Sequence, residues 1–243
     1  MTSSTATVED AAERIIEALE ALGTPERARK EQAYLKSDLR HLGVPVPKIR
    51  SITKSIVNTS GADGRRLATR LWNTDIHEAR MAAAEVLCMI ESDLGHADLP
   101  LVEDLLRSSR TWALVDTLAV HVAGPVLARD NEANAVLDRW ATDPDFWIRR
   151  SALLAHLKDL RSGGGDWERF TRYADAMLEE KEFFIRKAIG WILRDTSRRR
   201  PDLVADWFTP RAHRASGVTV REAVKKLSDE QAAEINRRYR SSR

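Results

Sequence analysis

Asp116 and Trp112 are the residues of this sequence whose types and spacing most clearly point to chemistry. Asp116 is the one carboxylate in the apolar run WALVDTLAV at positions 112–120. An ionised carboxylate is costly to bury alone, so Asp116 needs a cation, hydrogen-bond donors or a wet cleft. Trp112 lies four residues earlier, which on a helix puts its indole on the same face. Two interpretations stay open: a structural aspartate paired with an arginine, and a functional carboxylate.

Arg149 and Arg150 are adjacent in a second informative segment, FWIRRSALL at positions 146–154. On a helix, neighbouring side chains point about 100° apart. One arginine could therefore face a groove while the other forms a local ion pair.

Gly190 and Trp191 lie in a third segment, FFIRKAIGWILR at positions 183–194. A glycine in the middle of a helix costs about 1 kcal/mol relative to alanine. We therefore expect a neighbouring helix or a ligand to approach closely at Gly190. Trp191 beside it could pack in the core or present a stacking surface.

Four arginines recur where helical segments become small and apolar, at Arg80, Arg149, Arg186 and Arg221. The last three are 37 and 35 residues apart, and the first interval, 69 residues, is about two periods. Such a period with two helices each is typical of HEAT-like repeats, whose inner helices line a concave surface. The arginines are interpreted either as rungs of a basic groove or as local caps and ion pairs.

Start and stop signals at helical spacing support this architecture. Pro25 after Thr24 predicts a helix start, Gly43 predicts its end, and Asp166 is a candidate cap for a helix from Trp167. No alternating strand pattern is found. We predict an all-α, HEAT-like helical-repeat solenoid with a concave basic groove. It forms one domain over residues 1–243, with N-terminal helices at 7–60, a repeat core at 63–227 and a basic C-terminal helix at 228–240.

Composition narrows the class of protein. The 243 residues carry 39 Lys and Arg against 37 Asp and Glu, a net charge of +2, yet the stretch 194–243 alone carries 13 basic and 7 acidic residues. A basic end favours an anionic partner. One cysteine, Cys88, excludes a disulfide framework and Cys-ligated metal clusters.

Motif searches exclude several enzyme classes. Phosphate-loop, dinucleotide, zinc-hydrolase and serine-hydrolase motifs are absent from the sequence. The six histidines lack local metal-ligand spacing, so no metal and no cofactor are expected. No signal segment and no apolar run of about 20 residues occurs, which predicts a cytoplasmic protein, nucleoid-associated when bound to DNA, without a membrane partner. A monomer is expected.

Four segments in order resemble signature stretches of the AlkD family of DNA alkylation repair enzymes. They are YLKSDLRHLGV at 34–44, WALVD at 112–116, WIRRSA at 147–152 and FFIRKAIGW at 183–191. The resemblance covers about residues 32–201. It implies a HEAT-like DNA glycosylase, a monofunctional hydrolase of base excision repair. The implied substrates are cationic N3- or N7-alkylated purines in duplex DNA, such as 3-methyladenine and 7-methylguanine, excised without a base-flipping pocket.

The resemblance also implies roles for individual residues. The catalytic aspartate of the family falls on Asp116, its two lesion-cradling tryptophans on Trp112 and Trp191, and its active-site arginine on Arg150, with Arg149 the alternative one position away. Together with the recurring basic residues, this gives a set of candidate DNA contacts: Arg149, Arg186, Lys187, Arg80, Arg221 and Lys36. The competing hypotheses are a non-catalytic HEAT-like nucleic-acid-binding module and a peptide-binding scaffold.

Overall fold

A computed structural model describes residues 7–241 of the protein, apart from the side chain of Asn131. The chain divides into two compact units, Met1–Leu118 (unit 1) and Ala119–Arg243 (unit 2). Within the described residues there is no β-strand, only an isolated bridge between Arg40 and Ile76. The prediction of an all-α fold is confirmed, whereas a single domain over the whole chain stays a prediction. Among residues 7–241, no helix combines the length and the hydropathy that crossing a membrane requires.

Unit 1 is built around its fifth helix. Its helices are α1 (Val8–Leu22), α2 (Pro25–Leu35), α3 (Val46–Ser60), α4 (Gly64–Trp72), α5 (His77–Met89), α6 (Leu99–Ser108) and α7 (Trp112–Leu118). Helix α5 packs against α1, α3, α4 and α7. Its alanines, Ala79 and Ala82–Ala84, are fully buried, because small side chains let several neighbouring helices approach one helix. Helix α5 therefore holds α7, which carries Trp112 and Asp116.

Unit 2 begins with a π-helical turn, Ala119–Ala123. Its helices are α8 (Gly124–Arg129), α9 (Asn134–Ala141), α10 (Phe146–Leu154), α11 (Leu157–Ser162), α12 (Trp167–Ala176), α13 (Phe183–Ser197), α14 (Pro201–Phe208), α15 (Gly217–Ala223) and α16 (Asp229–Arg240). Helix α13 is central and packs against α10, α11, α14 and α15. A Cβ on Gly190 would lie 2.7 Å from Cβ of Glu222 and 2.9 Å from the carbonyl oxygen of Thr219. The close approach predicted at Gly190 is thus made by a helix of the protein itself, α15.

The predicted helix ends are correct in part. Helix α2 begins at Pro25 as expected, but it stops at Leu35, where Lys36 takes a left-handed conformation (φ 50°). Gly43 lies well beyond that end, so its assignment as the stop was wrong. Asp166 caps α12 as predicted, accepting a hydrogen bond from the backbone N–H of Arg169 (2.9 Å).

The recurring arginine has the same local geometry in three helices. Each arginine donates to the carbonyl oxygen of the residue six positions earlier. That residue lies in the turn before the helix that carries the arginine. The bonds are Arg80 Nε to Thr74 (2.9 Å), Arg149 Nη1 to Asp143 (2.6 Å) and Arg186 Nε to Glu180 (2.6 Å). A guanidinium that bonds these turn carbonyls fastens each turn to the helix that follows. Of the two interpretations of the repeated arginines, local caps and ion pairs describe these three. Arg221, exposed on α15, shows no such bond.

Candidate catalytic and nucleic-acid site

Helix α7 presents Trp112 and Asp116 on one face of unit 1, and both side chains are half-buried. The chain enters this helix through Arg110, a non-glycine residue with φ 58°. A left-handed arginine costs on the order of 1–3 kcal/mol and persists only where neighbours hold it. Here Nη1 of Arg110 donates to Oδ2 of Asp38 (2.7 Å). The ion pair fixes the loop that sets the position of Trp112.

Tyr34 extends the aromatic surface of Trp112. Its ring lies edge-on to the indole, with centroids 5.8 Å apart and an interplanar angle of 88°. Tyr34 is 73% exposed, so its ring extends the surface beside Trp112 instead of packing in the core. Lys36, a predicted DNA contact, is exposed two residues later. Sequence reasoning did not select Tyr34 as a site residue, although it opens the first family-like segment.

In unit 2, the half-buried Trp191 is oriented by a carboxylate one turn along α13. Its indole Nε1 donates to Oδ2 of Asp195 (3.1 Å). Asp195 also accepts from Arg194 (3.2 Å), and Arg161 and Arg198 lie 3.9 Å from it. Three guanidinium groups around one carboxylate leave a local excess of positive charge beside the indole.

Glu222 of α15 joins this network. It accepts from Lys187 (2.5 Å), Lys225 (2.8 Å) and Arg194 (2.5 Å). Burial opposes ionisation of this carboxyl, but the hydrogen bonds from Lys187 and Lys225 outweigh it and lower the pKa of Glu222 to about 2. The two acids, Asp195 and Glu222, are thus outnumbered by five basic side chains, so the face of unit 2 around Trp191 is cationic. The basic members are Arg161, Lys187, Arg194, Arg198 and Lys225.

Arg149 and Arg150 have different environments. Arg149 forms a two-bond pair with Glu180 (3.0 and 2.8 Å) and donates to the carbonyl oxygens of Asp143 and Pro144. Arg150 is only 2% exposed, donates from Nη1 to the carbonyl oxygen of Phe184, and lies 5.8 Å from the centroid of the Phe184 ring. Arg149 is therefore neutralised by a carboxylate, while Arg150 fastens the first turn of α13.

A separate basic cleft of about 380 Å³ opens in unit 2. Arg186, Arg214 and Arg221 contribute three guanidinium groups to its lining, and Glu179 contributes a carboxylate. Arg214 is paired with Asp175 (2.7 Å), whereas Arg221 is exposed. The candidate DNA contacts Arg186 and Arg221 thus lie in one cleft.

The predicted site residues fall into two groups. Unit 1 contains Trp112, Asp116 and Lys36 with the added Tyr34, and unit 2 contains Arg150, Lys187, Trp191 and Arg221. The other candidate DNA contacts, Arg80, Arg149 and Arg186, carry the structural bonds described above, and Arg80 is also 92% buried. Contact of these three arginines with DNA stays a prediction.

Comparison with solved structures shows which proteins share this fold. A predicted DNA alkylation repair enzyme from Enterococcus faecalis superposes with a TM-score of 0.74 at 21% identity, covering 85% of this chain and 97% of that one. AlkD2 from Streptococcus mutans superposes with a TM-score of 0.59 at 18% identity, covering 83% and 99%. At these identities the likeness establishes the fold. Among curated proteins no sequence matches this chain.

A family model described as DNA alkylation repair enzyme matches residues 15–227. This stretch contains α2 with Tyr34, α7 with Trp112 and Asp116, and α13 with Trp191. With most of the sequence and the helical-repeat fold in agreement, the chain belongs to the DNA alkylation repair enzyme family.

Proposed function

We propose that this protein is a DNA glycosylase that hydrolyses the N-glycosidic bond of cationic N3- or N7-alkylated purines in duplex DNA. The observation that carries the proposal is the placement of Asp116 on the half-buried face of α7, one turn from Trp112, in a member of a DNA alkylation repair family. By resemblance to the AlkD family, it acts without a base-flipping pocket.

The leaving group explains why one carboxylate suffices. Alkylation at N3 or N7 gives the purine a positive charge, so the base leaves as a neutral molecule and needs no general acid. The C1′–N9 bond breaks, its electron pair passes to the purine, and positive charge develops on the sugar. Asp116 stabilises that charge and orients the water whose oxygen bonds to C1′. The proton lost by that water passes to the carboxylate or to solvent, leaving an abasic site.

The aromatic side chains suit a cationic sugar. The faces of indole and phenol rings carry negative electrostatic potential and attract a cation by about 0.5–2 kcal/mol each. Trp112 supplies such a face one turn from Asp116, and Tyr34 extends it with an exposed ring. Trp191 of unit 2 serves as the second lesion-facing indole.

The basic network of unit 2 provides the affinity for DNA. Phosphate contacts supply most of the affinity of a protein for a duplex and position it without reading sequence. Lys187 and Arg194 neighbour Trp191 and belong to the network in which five basic side chains outnumber two acids. By resemblance to the AlkD family the active-site arginine is Arg150, with Arg149 the alternative one position away, and Glu180 holds Arg149 in an ion pair.

The test is release of bases from methylated DNA. Duplex DNA treated with a methylating agent is incubated with the protein, and the released bases are separated by chromatography. The proposal predicts 7-methylguanine or 3-methyladenine in the soluble fraction and abasic sites in the DNA. A HEAT-like binding module or scaffold would bind or ignore the duplex and release no base, and that result would overturn the assignment.

A further inference from the structure

Three potential metal ligands of unit 1 converge from distant parts of the sequence. Glu31 lies on α2, His41 in the loop after α2, and Glu78 in the first turn of α5. One ligand atom from each lies within 4.8 Å of the other two. Around a tetrahedral zinc ion with bonds of about 2.1 Å, ligand atoms are about 3.4 Å apart, so small side-chain rotations would bring these three into range.

The histidines at this position carry unsatisfied nitrogens. His41 is 92% buried, and neither of its ring nitrogens has a hydrogen-bond partner. His77 stacks on it, with centroids 4.4 Å apart, and its Nδ1 also lacks a partner. Buried polar atoms are almost always satisfied, so a group of three that are not requires a ligand, ion or water. A neutral imidazole between two carboxylates is suited to a divalent cation.

Glu78 is preorganised for this role. Its Oε1 accepts hydrogen bonds from the backbone N–H groups of Gly43 (2.6 Å) and Val44 (3.3 Å), and its Oε2 accepts one from that of Leu42 (2.9 Å). Each carboxylate oxygen has two lone pairs, so Oε2 keeps one for a metal. Hydrogen-bonded carboxylates are typical metal ligands, because the bonds fix their orientation.

Helix α2 gives the cluster a structural purpose. None of its residues is buried, and the helix contacts the rest of unit 1 through the exposed Tyr34, whose ring lies edge-on to Trp112. It rests on the backbone of Gly43, where a Cβ would lie 2.5 Å from the backbone nitrogen of Ala28. Gln32 adds one hydrogen bond to the carbonyl oxygen of Leu39 (3.0 Å). A polar helix of this kind needs a further attachment, and Glu31 lies on its cluster-facing side.

We propose that Glu31, His41 and Glu78 bind a divalent transition-metal ion of the zinc type, which fastens α2 to α5. One imidazole nitrogen and two carboxylate oxygens are ligands that such ions accept. Two carboxylates match the charge of a divalent ion, and Glu31, which pairs with the exposed Arg27 (2.6 Å) one turn earlier, exchanges this partner for the metal. Because Tyr34 follows Glu31 by one helical turn, the ion also steadies the residue that contacts Trp112. This site is distinct from the proposed glycosylase chemistry and does not depend on it.

The first measurement is metal content. The full chain is prepared without a polyhistidine tag, stripped with a chelator, dialysed against zinc chloride and analysed by atomic spectroscopy. We expect one zinc per chain. We also expect a rise in Tm of about 5 °C or more at a hundredfold excess of zinc over its Kd, and slower amide hydrogen exchange in residues 25–35. Less than a tenth of an equivalent of zinc, with Tm unchanged, overturns the proposal.

Matched variants identify the ligands. Glu31→Gln keeps the shape of a half-exposed side chain and removes the charge, so zinc affinity should fall at least about tenfold. Glu26→Gln makes the same change on the same helix, at a residue paired with Lys30 (2.6 Å) outside the cluster, and should bind zinc as the wild type does. His41→Asn is the second ligand variant. Equal zinc binding by all three variants assigns the metal to another site and refutes this one.

Discussion

The two candidate lesion-facing tryptophans have the same sequence context and different surroundings. Trp112 precedes Asp116 by four residues on α7, and Trp191 precedes Asp195 by four residues on α13. Asp195 is buried, accepts from the indole beside it and lies among three arginines. Asp116 is half-buried, one helical turn from an indole that the exposed ring of Tyr34 contacts.

The surroundings of Asp195 indicate a structural carboxylate. A carboxylate surrounded by guanidinium groups is already neutralised and has little capacity to stabilise a new cation. Asp116 is the catalytic candidate because it lies in the family-like segment WALVD, on a half-buried face one turn from an indole that can also attract a sugar cation. Tryptophan–aspartate spacing alone therefore does not identify the catalytic residue.

The largest expected effect separates the two aspartates. Asp116→Asn removes the charge that stabilises the sugar cation, so the single-turnover rate of 7-methylguanine release should fall at least about 10²-fold while duplex binding is retained. Asp195→Asn is the matched control. It should lower Tm, because three arginines lose their counterion, and change the release rate less than tenfold. If the two variants lose activity equally, Asp116 is not the catalytic group.

Much of the fold is encoded in local patterns that sequence reasoning can read. Asp166 and Pro25 mark helix starts by capping chemistry, and Gly190 marks a close contact between helices. The spacing of Arg80, Arg149 and Arg186 identified the repeat from the sequence. The structural role of these arginines became visible only in the three-dimensional structure. The bond to a carbonyl six residues earlier depends on the turn geometry, which the sequence period does not contain.

The parts of the site that escaped prediction depend on contacts between distant segments. Tyr34 becomes a site residue only because α2 ends at Leu35 and brings its ring to Trp112. The cluster of Glu31, His41 and Glu78 spans 48 positions, so a search for locally spaced ligands could not find it. Residue types and spacing identified helices and candidate chemistry, whereas burial and partners decide among the candidates.

The second prediction concerns the pH dependence of folding stability in unit 2, outside both tryptophan–aspartate pairs. Burial lowers the pKa of His156 in unit 2 to about 4, from an ordinary value of 6.5. The unfolded chain binds this proton more readily, so the stability from neutral His156 is fully present above pH 6.5. It is lost as the pH falls towards 4. The loss amounts to about 3 kcal/mol and is measured by denaturant unfolding at pH 7 and pH 4.5. His156→Phe should flatten this dependence, and an unchanged slope in that variant contradicts the assignment.

The third prediction separates the adjacent arginines. Arg150→Ala removes the hydrogen bond that its guanidinium adds at the carbonyl oxygen of Phe184, together with its buried packing on the Phe184 ring, which should cost about 1–3 kcal/mol of folding free energy and lower base release. Arg149→Ala should cost stability through Glu180 and leave base release within a few-fold of wild type. Denaturant unfolding and single-turnover excision are measured on both variants. Loss of excision in Arg149→Ala alone would move the active-site role by one residue.

The smallest expected effect concerns phosphate contacts remote from either tryptophan. Arg221 is exposed in the basic cleft of unit 2, so Arg221→Ala should leave Tm unchanged and remove one phosphate contact. The slope of log K against log salt concentration for undamaged duplex should then become shallower by about one unit. Arg14→Ala, an exposed arginine on α1, changes the net charge equally and serves as control. A direct phosphate contact changes this slope, whereas a distant surface charge changes it little. An equal change in Arg221→Ala and Arg14→Ala would therefore show that Arg221 attracts DNA without binding a phosphate.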